Sequence, residues 1–349
     1  MKKPFFSIAI PTYNRCRYLK STIDIILHQT FQDFEIVVVD NASSDQTMEA
    51  VKHFKDQRVK YFCNRKNIGF PKNTKKAINL CRGKYIFTTG DDDFILFKNT
   101  LSDLKKILDN KDYGFLRIDV LERTVGGLGL QKKLMHLKEN FSIDKNASDK
   151  DILNFIGRVD IGTIAGLVFK NSNIKKINFL ESEVNPWFNL ILTNIRKFGA
   201  IFISGLYMVI SWPEVHKHQA SHDIKENKLS YESYNNELFK LIPKNNLPEF
   251  KKNYYQKLIE LFPCTKMYTS NSNLIKYAKR ILELEPSLKF SFKLWFFFII
   301  ALIFPRIFWL GVRHTLHRSR DQINSLINLN EITHRYVAIV NKYQVFAHR

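Results

Sequence analysis

Glu35-Ile36-Val37-Val38-Val39-Asp40 is the segment that most narrows what this chain can become. A continuous apolar run of this length, β-branched throughout and closed by a carboxylate at each end, reads as a strand covered on both faces. Strands of that kind belong to parallel sheets wrapped by helices. The flanking sequence supplies the wrapping. Phe5-Phe6-Ser7-Ile8-Ala9-Ile10 is a strand expected to stop at Pro11, which cannot donate to a ladder. Tyr18 to Thr30 carries Leu19, Ile23, Ile26 and Leu27 at helical spacing. A second helix opens at Ser43, Ser44 or Asp45 and runs through Met48 and Val51 to Phe54. Val59 to Phe62 is a third strand, Asn73 to Cys81 a third helix stopped by Gly83, and Tyr85 to Thr89 a fourth strand.

Strands alternating with helices imply an α/β, doubly wound, mainly parallel sheet. In such sheets a ligand lies outside the carboxyl ends of the strands. Pro11-Thr12, Asp40, the loop from Arg65 to Gly69, and Asp91-Asp92-Asp93 all fall on that one edge. Three adjacent acids repel one another, and a divalent cation or a water-filled cleft relieves the repulsion. Oxygen-only donors suit Mg²⁺ or Mn²⁺ rather than zinc. An exposed acidic turn is the plain alternative for the triplet taken alone. A dinucleotide fold is excluded by its missing fingerprint: Pro-Thr-Tyr-Asn-Arg follows the first strand, and no glycine precedes Gly69.

Four ordered motifs carry a family resemblance. They are Ile10-Pro11-Thr12-Tyr13-Asn14-Arg15, Val37-Val38-Val39-Asp40-Asn41-Ala42-Ser43, Asn67-x-Gly69 with Asn73, and Gly83-Lys84-Tyr85-Ile86 followed by Gly90-Asp91-Asp92-Asp93. Over about residues 4–110 the chain resembles the family 2 glycosyltransferases of the GT-A fold. The resemblance implies inverting transfer of a sugar from a nucleotide-sugar donor, a UDP-sugar favoured, with Mn²⁺ or Mg²⁺ as cofactor. It places Pro11, Thr12, Tyr13 and Asn14 along the nucleoside pocket, Asp40 on a base N–H, and Arg65 and Asn67 near base and phosphates. In the family's usual Asp-x-Asp-Asp pattern the first acid aligns with Gly90. That departure leaves Asp91 for the ribose, Asp92 as metal ligand, and Asp93 as a second ligand or its neighbour. Asp40 has a plainer reading as a turn or capping aspartate.

Inverting transfer wants a carboxylate to take the acceptor's proton. Glu183 is the candidate base, with Glu181 and Asp160 behind it. Asn185 reads as an N-cap and Pro186 as the first residue of a helix through Trp187, Leu190, Ile191 and Ile195. Both glutamates could instead serve only the helix entry, where the dipole favours negative charge. Tyr113 to Leu121 and Ile161 to Lys170 are further strands, and Ala200 to Trp212 a last strand pair. Gly126-Gly127-Leu128-Gly129 lacks the Gly-Lys-Ser/Thr of a phosphate loop and reads as a turn near the acceptor. His216, His218 and His222 match no zinc spacing and read as loop residues.

The 349 residues allow a catalytic domain over 1–225, split near residue 110 into donor and acceptor halves, and a helical extension over 226–349. Cys16, Cys63, Cys81 and Cys264 suggest no disulfide framework, and Met1-Lys2-Lys3 runs straight into a core strand. Both point to the cytoplasm. The net charge of +21 calls for an anionic partner. No nucleic-acid motif accompanies it.

Leu294 to Phe304 is an unbroken apolar run, Pro305-Arg306 interrupts it, and Arg313 to Arg320 forms a basic flank. One helix over 294–312 would reach about 28 Å, barely a bilayer core, with Arg306 inside. An in-plane or re-entrant helix on an anionic membrane surface fits better than a spanning one, a buried core helix or a contact with a second copy. The combined expectation is a peripheral enzyme on the inner face of the plasma membrane. It would extend a surface polysaccharide, capsule or lipopolysaccharide, or a polyprenyl-linked glycan. A non-catalytic scaffold of the same fold is the competing reading, and the intact acids argue against it.

Overall fold

Strand β1 (Phe6–Thr12) lies beside β2 (Phe34–Asp40) in parallel register, Phe6 opposite Phe34 and Thr12 opposite Asp40. Every residue of both strands is buried. That is the two-sided cover the apolar run requires. The computed structural model describes residues 3–123, 130–132, 139–159, 161, 163–172, 187–210, 239–240, 242–260, 262, 266, 270–305 and 308. These group into two units, one within residues 1–211 and one within 212–327.

In the first unit β3 (Val59–Cys63) pairs with the outer side of β2, and β4 (Tyr85–Thr88) with the free side of β1, both parallel. Helices α1 (Cys16–Leu27), α2 (Thr47–Lys52) and α3 (Phe70–Leu80) make the crossovers. Leu19, Ile23 and Ile26 of α1 are buried, as their spacing predicts. Asp45 links two helix starts, accepting from the Cys16 N–H of α1 at 3.0 Å and from the Thr47 N–H of α2 at 3.1 Å. Gly69, at φ +83°, turns the chain into α3. With Pro71 in the first turn, the helix starts at Phe70 rather than at Asn73.

The expectation that β1 ends before Pro11 is wrong. The strand runs on to Thr12, and Pro11 sits opposite Val39. Strand β4 reaches only Thr88, opposite Ala9, so β1 has lost its neighbour on that side by Pro11. The position is an edge, where a missing N–H costs little.

Beyond β4 the sheet becomes mixed. Its elements are β5 (Phe94–Ile95), α4 (Thr100–Asn110), β6 (Phe115–Arg123), β7 (Leu130–Lys132), β8 (Phe141–Ile143), α5 (Asp149–Arg158), β9 (Leu167–Lys170), α6 (Phe188–Phe198) and β10 (Ala200–Ile210). The order is β3-β2-β1-β4-β9-β6-β10-β5, with β7 on β6 and β8 on β10. Strand β9 is antiparallel to both β4 and β6, whereas β6 and β10 are parallel. The mainly parallel sheet therefore describes the first half best. The expected strand over 161–170 shortens to its last four residues. In place of the expected strand pair, Ala200–Ile210 is one strand with an irregularity between Ile203 and Tyr207, where Gly205 takes φ +85°. Helix α6 opens at Phe188 with Trp187 as its N-cap residue, later than Pro186.

The second unit holds α7 (Leu247–Glu260), α8 (Asn271–Leu284), a 3₁₀ turn (Pro286–Phe290) and α9 (Phe292–Ile303). Tyr255 and Ile259 of α7, Leu274 and Ile281 of α8, Leu288 of the turn, and Leu294 and Ala301 of α9 form its core. Ser270 and Ser291 cap α8 and α9 through their hydroxyls. Helix α9 ends at Ile303, ahead of Pro305, so the single helix over 294–312 is not formed. No helix among the described residues is long and apolar enough to cross a membrane.

Candidate active site

The carboxyl ends of β1, β2 and β4 lie side by side, and the chain after each carries a motif read from the sequence. Thr12 closes β1, Asp40 closes β2, and Asp91, Asp92 and Asp93 follow β4. All three acids are buried. Thr12 Oγ1 donates to Asp91 Oδ2 at 2.7 Å. Thr22 Oγ1, on α1, lies 2.9 Å and 3.1 Å from the carbonyls of Asp91 and Asp93 and fastens the acidic loop to that helix.

Arg15 gives this loop its electrostatic balance. Its Nη1 donates to Asp92 Oδ2 at 2.6 Å and to Asp91 Oδ1 at 3.3 Å, so one cationic nitrogen bridges two carboxylates. Burial and the adjacent Asp92 push Asp91 up to about 7, against the opposing pull of Arg15. The guanidinium, for its part, is held above its ordinary value: burial opposes its charge, but Asp92 and Asp91 outweigh that. The guanidinium lies between the two carboxylates, and this donor pair fits a cation. Among the described residues no group of three or more His, Cys, Asp or Glu could hold an ion.

Asp93 turns Oδ2 back onto the Gly90 N–H at 3.0 Å. A Cβ at residue 90 would come within 2.5 Å of that oxygen. A side chain at residue 90 would therefore displace the Asp93 carboxylate from that position.

Asp40 is committed to its own loop. Its Oδ1 accepts from Ser43 N at 2.9 Å and Ser43 Oγ at 2.6 Å, and its Oδ2 from the Tyr61 hydroxyl at 2.6 Å. Burial, and then Asp40, hold the Tyr61 phenol well above its usual range, so it donates. The turn geometry of Asp40 is thus present. A carboxylate accepts about four bonds, which leaves one lone pair for a base N–H.

Asparagines build the opposite wall. Asn41 Nδ2 donates to Asn67 Oδ1 at 2.7 Å, which also accepts from Gly69 N. Asn64 Nδ2 donates to Asn41 Oδ1 and Asn73 Oδ1, Asn73 Nδ2 to the Val39 carbonyl, and Lys76 Nζ to Asn64 Oδ1. Arg65 is exposed on the same loop, and Tyr13 is exposed beyond Thr12. Asn14, at φ +53°, binds the β2–α2 loop through its N–H to Ser43 and its Oδ1 from Ser44 N.

Farther along the sheet, Arg117 is fully buried and holds the 163–165 loop through the Ala165 carbonyl and Thr163 Oγ1. Thr88 Oγ1 binds the Ile164 carbonyl at 2.6 Å, and Trp187 Nε1 binds the Ile161 carbonyl at 3.1 Å. The Trp187 ring meets Phe70 edge to face at 6.4 Å, so the entry to α6 adjoins the start of α3. Glu183, Glu181, Asp160, residues 126–129 and the three loop histidines lie outside the described residues.

The structure therefore brings together Pro11, Thr12, Asn14, Asp40, Asn67 and the three acids. Sequence reading gave no role to Arg15, Tyr61, Asn41, Asn64, Lys76 or Arg117. Only Arg15 had a signal: a cation inside the first motif, facing a triplet that needs one.

A helix-wrapped sheet with an acidic loop and a polar loop at its carboxyl edge is the arrangement in which open α/β sheets take their ligands. Residues 7–170, just under half of the chain, match the family model Glycosyl transferase family 2. An uncharacterised glycosyltransferase of Methanocaldococcus jannaschii is 37% identical over 120 residues, 33% of this chain and 41% of that protein. The GalNAc(5)-diNAcBac-PP-undecaprenol beta-1,3-glucosyltransferase of Campylobacter jejuni is 31% identical over 196 residues, 54% of this chain and 60% of that protein. The chain thus spans about half the length of these relatives. S. aureus TarS 1-349, solved with UDP-GlcNAc, shares the fold with a TM-score of 0.51 at 17% identity, covering 82% of this chain and 92% of that one.

Proposed function

We propose that this family 2 glycosyltransferase moves a sugar from a nucleotide-sugar donor, a UDP-sugar favoured, to a hydroxyl of a glycan or polyprenyl-linked glycan, with inversion. The observation that carries the reading is the buried Asp91–Asp92 pair bridged by one cation at the carboxyl edge of the sheet. The printed name of the Campylobacter relative supports a lipid-linked acceptor. The work would be done on the inner membrane face, on a surface polysaccharide or its precursor.

Mn²⁺ or Mg²⁺, held by Asp92 and Asp91, would supply Lewis-acid stabilisation of the departing diphosphate. This departs from the resemblance, which gave Asp91 to the ribose and made Asp93 a second ligand or its neighbour; here Asp93 braces the turn through the Gly90 N–H. Tyr13 offers its exposed ring to the base, while Asp40, Asn67 and Arg65 frame the nucleoside. Glu183 serves as the base, with Glu181 and Asp160 as the groups to test next.

Calorimetric titration with UDP, with manganese and with EDTA, tests the reading. Manganese should raise UDP affinity, and Asp92→Asn should remove most of that gain while the protein stays folded. Equal affinity in both buffers would sink the metal assignment. In the same preparation Glu183→Gln should keep UDP binding yet lose about 10²-fold in turnover, the scale of general-base catalysis. Near-normal turnover would move the role elsewhere.

A further inference from the structure

Helix α9 has two apolar faces, and among the described residues only one of them is packed into a core. Leu294 and Ala301 are fully buried in the core of the second unit with Ile281 and Leu288. Phe292, Phe296, Ile299 and Ile303, spaced 4, 3 and 4 residues apart, share one stripe on the other side. They are 80%, 45%, 48% and 68% exposed. An exposed stripe of four large apolar side chains on a helix already fixed by its inner face is a surface built to be covered.

The charge around it selects the occupant. Residues 286–320 contain Lys289, Lys293, Arg306, Arg313, Arg318 and Arg320 and no Asp or Glu. Lys289 and Lys293 are exposed at the helix entry, where Lys289 Nζ lies 4.8 Å from the Phe290 ring centroid. Trp295 donates its Nε1–H to the Lys289 carbonyl at 2.8 Å, setting an amphipathic ring beside the stripe. A second copy would bring the same cations against one another. An anionic bilayer meets both the apolar stripe and its basic flank. At 12 residues, about 18 Å, the helix is too short for a core of about 30 Å, so it lies in the plane.

We infer that the Phe292–Phe296–Ile299–Ile303 face of α9, flanked by Lys289 and Lys293, docks the protein onto anionic lipid. The inference stands apart from the transfer reading, since vesicle binding needs neither donor nor acceptor.

The test is co-sedimentation of the full chain with phosphatidylcholine vesicles, with and without 30% phosphatidylglycerol. Binding should be at least tenfold stronger on the anionic vesicles. Phe292→Ser/Ile299→Ser/Ile303→Ser should lose at least tenfold with an unchanged melting temperature, because no core side chain is altered. Lys289→Glu/Lys293→Glu should weaken binding on anionic vesicles alone, each lysine being worth roughly fivefold. Brominated acyl chains should quench the wild type more than Trp295→Phe. No preference for anionic vesicles, or full binding by the folded triple variant, would overturn the proposal. So would a wild-type dimer in sedimentation velocity that the triple variant dissolves, which would make a second copy the occupant.

Discussion

At the scale of single residues, Arg15 decides how three buried acids are tolerated. Removing one partner of a buried ion pair leaves the other charge desolvated, and that costs more than the pair contributes. Here proton uptake by Asp91 absorbs part of the loss, since its carboxyl already titrates at about 7. Arg15→Met should therefore cost roughly 1–3 kcal/mol in EDTA. Manganese at millimolar concentration should raise the melting temperature of the variant more than that of the wild type, because the ion then replaces the missing guanidinium. Equal manganese shifts in the two proteins would show that Arg15 does not stand in the cation's place. The measurement needs no substrate, so it reads the residue rather than the reaction.

At the scale of elements, close approach between a strand and a helix shapes the mixed half of the sheet. Gly114 precedes β6, and a Cβ there would lie 2.3 Å from the Asn194 carbonyl oxygen in the backbone of α6. Backbone cannot rotate aside as a side chain can, so Gly114→Ala must push α6 off β6. The expected loss is about 3 kcal/mol, at the upper end for overpacking. Unfolding in urea should show a lower midpoint, and an unchanged midpoint would mean the helix shifts freely. Nothing in the sequence announces this contact, because a glycine's partner lies far along the chain. The donor half was legible for the opposite reason. Continuous apolar strands and spaced helix faces are local patterns, and the motifs fall on strand ends that those patterns locate. Strands β5, β7 and β8 are too short to show a period. Pro11 misled because its cost depends on whether a neighbouring strand reaches it. Tyr61 and the Asn41–Asn64 network were invisible as a site because their partners come from separate loops.

At the scale of the whole molecule, stability against pH is set by carboxylates of opposite sign. Asp56 is held below the usual carboxylate range by hydrogen bonds from Arg58. Asp112 is held low as well: burial acts to raise it, but Lys170 and Tyr85, from β9 and β4, outweigh burial. For both, the folded pKa lies below the unfolded value of about 4, so their contribution is present above that pH and lost on further acidification. Asp91 acts the other way. Raised to about 7 mainly by burial, it gains a proton on folding between about pH 7 and 4. Its contribution is full below about 4 and is lost as pH rises through 7. Acidification also adds to a net charge that is already +21, so self-repulsion deepens the loss at the acid end. The melting temperature in EDTA should then rise from pH 8 toward a maximum near 5 and fall below about 4. Asp91→Asn should flatten only the upper arm. Added salt should soften only the lower one, by screening repulsion between exposed charges. A wild-type curve that falls steadily from pH 8 to 5 would mean that Asp91 is ionised throughout, Arg15 then outweighing the cost of its burial.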